Sequence, residues 1–177
     1  MLTVGTVVWL ASELMFFSGL FAAYFTLRAA STGPWPPSGV DLSVPVSGLF
    51  TLVLVLSSGT MQLAVRAIEH GRVAVFRRWL LATLVLGAVF VANQAREWAT
   101  LDFRVDTHAF GSAFYLMTGF HGLHVIGGLA AMLVLLLRAS KRRFDADATP
   151  SVEVVSYYWH FVDVVWIGLW ATLFVLR

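Results

Sequence analysis

Five apolar runs, each long enough to cross a bilayer, constrain this chain more than any other feature. A spanning helix needs about 20 predominantly apolar residues. The runs cover roughly Val4 to Arg28, Val46 to Glu69, Val73 to Leu101, Phe110 to Leu137 and Val152 to Leu176. The expected fold is all-α, a single transmembrane domain over 1–177 built as a bundle of five helices. Only 12% of the 177 residues are charged, against about 25% in a soluble domain. No polar stretch is long enough to bury a core of its own. Without a single cysteine, disulfides, thiolate metal sites and iron–sulfur clusters are excluded. The first run is too long for a signal peptide and contains Glu13, so it reads as a retained helix.

The connections differ in character. Residues 31–45 hold Gly33, Pro34, Pro36, Pro37, Gly39 and Pro45, which excludes a helix and predicts a stiff extended loop. A charged loop runs from Arg138 to Glu153. The net charge is only +2 and the arginines sit at helix ends. This argues for membrane orientation and against a nucleic-acid partner. With five spans, one side carries Arg66, Arg72, Arg77, Arg78, Arg138, Lys141, Arg142 and Arg143, and the other Arg28, Arg96, Arg104 and Arg177. The positive-inside rule then puts the N-terminus in the cytoplasm and the C-terminus outside.

Ionisable groups inside such runs are costly, about 2.5–3.5 kcal/mol on insertion scales, and are expected to face the bundle interior with a partner. The last run holds S-Y-Y-W-H-F-V-D-V-V-W at 156–166. Its His160 and Asp163 are three apart, so they share a helix face. The first run holds Glu13, and the fourth holds His121 and His124 among Gly119, Gly122, Gly127 and Gly128, small residues that let helices approach closely. The second run has a polar centre, Ser57, Ser58, Thr60 and Gln62, suited to interhelical hydrogen bonds. In the third, Thr83, Gly87, Phe90, Gln94 and Glu97 share one face.

At 1.5 Å per residue, Glu13 and His160 lie roughly 14 Å from the inner helix ends, Asp163 roughly 18 Å, His124 roughly 21 Å and His121 roughly 25 Å. Glu13 with His160, and Asp163 with His124, are therefore the same-depth pairs, and partners for His160 and Asp163 are expected on the first or fourth helix. No Lys or Arg lies near Glu13 in depth, so its expected partner is a neutral group. Each His can hydrogen-bond a backbone carbonyl and tie two helices. It could also ligate haem or join a metal site with Asp163, but His121 and His124 on one helix cannot clasp a haem from both sides. Trp159, Trp166 and Trp170 read as packing or lipid-facing residues.

Four stretches together carry a family resemblance: W-L-A-S-E-L-M-F-F at 9–17, W-P-P at 35–37, T-G-F-H-G-L-H-V-I-G-G at 118–128 and Y-W-H-F-V-D-V-V-W at 158–166. In that order they resemble cytochrome c oxidase subunit III, over nearly the whole chain. The resemblance implies a non-catalytic subunit of a proton-pumping respiratory oxidase, multi-pass in a bacterial plasma membrane. It implies no cofactor in this chain beyond bound phospholipid, with haem and copper in partner subunits. The implied partners are the catalytic subunit I, directly, together with subunit II, other subunits and membrane phospholipids.

By position, Glu13 matches the family's buried carboxylate, His121 and His124 its glycine-flanked pair, and His160 and Asp163 its last-helix pair. Glu97, in Q-A-R-E-W, resembles the family's glutamate near the outer end of a helix. The family usually has seven helices. Five here resemble its short bacterial form, which leaves one wall of the family's lipid cleft missing or supplied by another chain. Alternatives are the same subunit of a ubiquinol oxidase and an accessory homologue of nitric oxide reductase. The S-E-L-M-F-F and W-P-P stretches look more like the cytochrome c type. A free-standing proton-coupled transporter working through Glu13 would be of another class, but the internal repeats and broken helices usual in transporters are missing.

Overall fold

A computed structural model describes residues 2–140 and 149–176. It contains α1 (Leu2–Ala30), α2 (Val44–Glu69), α3 (Val73–Thr100), α4 (Ala109–Ala139) and α5 (Thr149–Trp170). A π-helical stretch, Ala171–Val175, prolongs α5. All five helices are long and apolar enough to cross a membrane, and among the described residues there is no strand. Most of the expected charged loop, residues 141–148, lies outside the described residues.

Local chemistry sets the helix ends. Pro45 lies in the first turn of α2, where its missing N–H removes no helical bond. Gly71 follows α2 with φ +67°, the left-handed conformation that glycine adopts freely beyond a helix end. There the N–H groups of Gly71 and Arg72 donate to the carbonyls of Ile68 and Ala67, each at 2.9 Å. At the start of α4, His108 Nδ1 accepts the N–H of Gly111 at 2.8 Å, a side-chain cap of an otherwise unbonded donor. The proline-rich segment before α2 forms no helix. It folds back over the bundle end, where the Trp35 indole donates to the Tyr24 hydroxyl at 3.0 Å and packs edge-on against Phe110.

α5 is the central element. It packs against α1, α2 and α4, and α3 fills the side between α2 and α4. In the spanning part of α5, 50% of residues are buried, against 11% in α1. The outward faces are apolar: Val4, Met15, Leu49, Leu123 and Val164 are all well exposed, as expected for a lipid-facing surface. The end of α5 is tied back to α1, with the Tyr24 hydroxyl donating to the carbonyl of Thr172 at 3.3 Å and Arg28 Nη1 donating to that of Leu176. This arrangement brings the last helix, with its His160 and Asp163, into contact with three others.

Candidate functional site

The α2–α5 seam is a ladder of indole–hydroxyl bonds. Trp159 donates to Ser57 Oγ at 2.9 Å, Trp166 to Thr51 Oγ1 at 2.9 Å and Trp170 to Ser47 Oγ at 3.0 Å. A buried indole N–H needs an acceptor. A hydroxyl can give its own proton to a carbonyl of its helix and still accept through a lone pair, and Thr51 does so toward Ser47 O at 2.8 Å. Trp159 is seated by two glycines: a Cβ at Gly87 would lie 2.7 Å, and one at Gly128 2.8 Å, from its ring. The small residues of α4 thus admit a tryptophan, not a helix backbone, at this level. These three tryptophans carry a structural role beyond packing. Their sequence signal is the descending run of hydroxyls at 57, 51 and 47, matched antiparallel to tryptophans at 159, 166 and 170.

Beside this ladder lie His160 and Asp163, and their partner is on α2. Ser58 Oγ is 2.8 Å from His160 Nδ1 and also hydrogen-bonds Asp163 Oδ2. This corrects the expectation of partners on the first or fourth helix. The polar centre of α2 takes that role, and Thr60 likewise bonds Thr83 of α3 at 2.7 Å. Asp163 is buried, and its Oδ1 has no partner among the described residues. Serine, histidine and aspartate meet here, but the hydroxyl stands between the other two. In a nucleophilic triad the imidazole must stand in the middle, to take the hydroxyl proton while the carboxylate orients it. The trio is therefore a helix–helix tie.

Glu13 pairs with His124, not with His160. His124 Nε2 lies 3.1 Å from Glu13 Oε2, and the Trp9 indole donates to Glu13 Oε1 at 3.0 Å. His124 Nδ1 is 2.7 Å from the carbonyl of Phe120. A carbonyl only accepts, so that nitrogen carries a hydrogen. Nε2 is the atom that meets Glu13, so the contact joins α1 to α4. Tyr158 closes the cluster from α5: its hydroxyl donates to the carbonyl of His124 at 2.8 Å, and its ring stacks on Trp9 at 5.2 Å. The cluster joins α1, α4 and α5.

The two remaining residues stand apart. His121 is buried with neither ring nitrogen bonded among the described residues. Its ring stacks on Trp166 at 4.8 Å and meets Phe90 edge-on at 5.9 Å. It therefore does not make the carbonyl bond that a membrane histidine usually affords. Gln94, one turn beyond Phe90 on α3, is also buried with an unbonded Nε2. Glu97 lies near the end of α3 and lines a small cavity of about 130 Å³ with Asp41, Asn93 and Arg96. Among the described residues, no three His, Asp or Glu side chains converge as a metal site would require.

Fold and site together define a polytopic helical membrane protein in which Glu13, His124, His160 and Asp163 hydrogen-bond across helix seams. Comparison with known proteins gives the family. The family model for cytochrome c oxidase subunit III matches residues 1–176. The chain is 51% identical over 180 residues to the probable cytochrome c oxidase subunit 3 of Nocardia farcinica, covering 100% of this chain and 89% of the relative. It is 50% identical over 181 residues to the corresponding protein of Mycobacterium tuberculosis, with the same coverage. The cytochrome c oxidase subunit 3 of Thermostichus vulcanus is 39% identical, over 97% of this chain and 86% of that one. The chain belongs to the cytochrome c oxidase subunit III family, and thus to the subunits of a respiratory oxidase complex.

Proposed function

We propose that this chain is a non-catalytic subunit of a proton-pumping oxidase that draws electrons from cytochrome c. It lies against catalytic subunit I in a bacterial plasma membrane, with its N-terminus in the cytoplasm, and steadies the complex and its proton uptake. The observation that supports this reading is the way the intramembrane ionisable groups are used. Glu13 is tied to His124 and His160 to Ser58, bonds that hold helices together. Haem and copper belong to the partner subunits on this reading. Phospholipid is the ligand we assign to the chain itself. A groove of about 460 Å³ between α3 and α4, lined by Phe90, Trp98, Leu116, Gly119, Leu123 and Ile126, has the apolar lining an acyl chain needs.

The test is co-purification. The tagged chain, isolated in mild detergent from its own membranes, should bring down a complex with the optical spectrum of haem a, and should carry no haem when expressed alone. A complex containing haem b without haem a would overturn the cytochrome c assignment in favour of a quinol oxidase or nitric oxide reductase. A Soret band in the isolated chain would overturn the non-catalytic one.

A further inference from the structure

One face of α5 is left open between α1 and α2. Tyr157, His160, Phe161, Val164, Ile167 and Gly168 repeat at three- and four-residue steps, so they form one stripe. Tyr157, Val164 and Ile167 are 46%, 66% and 45% exposed. α1 borders the stripe through Phe17, whose ring meets Phe161, and Phe21, against Gly168. α2 borders it through Ser58. α1 does not pack along α2, so no helix of the described residues covers the stripe.

A purely apolar stripe would suit lipid, but this one has a polar centre. His160 is half-buried, with Nδ1 bonded to Ser58, while Nε2 has no partner among the described residues and is not buried. His160 is eleven residues into α5, about 17 Å along the helix and near the middle of a hydrocarbon layer about 30 Å thick. Lipid headgroups do not reach that depth, and acyl chains offer nothing to hydrogen-bond. An unbonded imidazole nitrogen there is costly. Gln62, one turn beyond Ser58 on α2, is exposed, as is the neighbouring Gly59. At Gly59, where a Cβ would meet nothing within 4 Å, another backbone can approach closely.

We propose that this stripe is a docking surface for a transmembrane helix of another oxidase subunit. That helix would present a hydroxyl or amide side chain level with His160. Such a group can donate or accept, so it meets Nε2 in either tautomer. The inference rests on the reading of this chain as an oxidase subunit and adds the surface by which it is held.

The experiment uses the assembled oxidase. A benzophenone amino acid placed at Val164, in an otherwise unaltered chain, should cross-link on illumination to a membrane-spanning segment of another subunit. Separately, His160→Leu should lower the amount of this chain retained per haem a by about three- to tenfold, the range spanned by an interhelical hydrogen bond in a bilayer. His160→Gln, which keeps a hydrogen-bonding group, should restore most of it. Cross-links to phospholipid alone, cross-links to a second copy of this chain, or unchanged retention of His160→Leu would each overturn the proposal. Co-purification of the unaltered chain with haem a separates the two readings. If it succeeds while Val164 reaches only lipid, the surface is wrong and the oxidase assignment stands. If it fails, both fall.

Discussion

Two polar clusters lie inside the membrane-spanning part of this protein, and they solve the same problem differently. At the α1–α4 seam, both carboxyl oxygens of Glu13 are met, one by Trp9 and one by His124. At the α2–α5 seam, a single hydroxyl, Ser58, serves both His160 and Asp163, and one oxygen of Asp163 is left unbonded in a buried position. The first cluster is partly exposed, with His124 and Glu13 side chains at 17% and 24%, and has redundant partners. In the second, Asp163 is buried, His160 is half-buried, and both depend on one atom. Redundancy predicts tolerance, and dependence on one atom predicts fragility.

Ser58→Ala should show the largest effect. It strips a partner from both Asp163 and His160, and a buried polar group left unsatisfied costs about 1–3 kcal/mol. We expect a loss of about 2–3 kcal/mol in a denaturant titration of the chain in mixed micelles; a change indistinguishable from zero would remove the contrast between the clusters. Glu13→Gln should cost less than about 1 kcal/mol, since the amide oxygen still accepts from Trp9 and the amide group still reaches His124. A larger loss than that of Ser58→Ala would reverse the order. Trp170→Phe, at the end of the indole ladder, should cost only about 0.6 kcal/mol, the average for an interhelical bond in a membrane. An effect several times that size would mean that the ladder, and not the clusters, carries the seam.

The number of helices was legible in the sequence, because a hydrocarbon layer about 30 Å thick dictates run length; of the ionisable groups expected to face inward, Asp163 and His121 are buried, whereas Glu13 and His160 are only partly so. Of the polar centre expected to bond across helices, Ser57, Ser58 and Thr60 do so, whereas Gln62 is exposed. The pairings were not legible. Depth arithmetic set Glu13 level with His160 and Asp163 level with His124, whereas Glu13 meets His124 and His160 meets Ser58. Depth assumes that all helix ends share one plane, and tilt and stagger remove that plane. Pairing also depends on which helices adjoin and how each is turned about its axis, and neither is a property of a single segment. The tryptophan ladder was missed for a related reason. Tryptophans at 159, 166 and 170 look like packing or lipid-facing bulk until α2 is known to run antiparallel beside them.

As a non-catalytic subunit, this chain would use its intramembrane polar groups to bind helices to one another while oxygen reduction proceeds elsewhere in the complex. Oxygen consumption per haem a, measured in purified oxidase assembled with Glu13→Gln, tests it most directly. We expect intact assembly and turnover close to that of the unaltered complex. Complete loss of oxygen reduction in a fully assembled Glu13→Gln complex would contradict it.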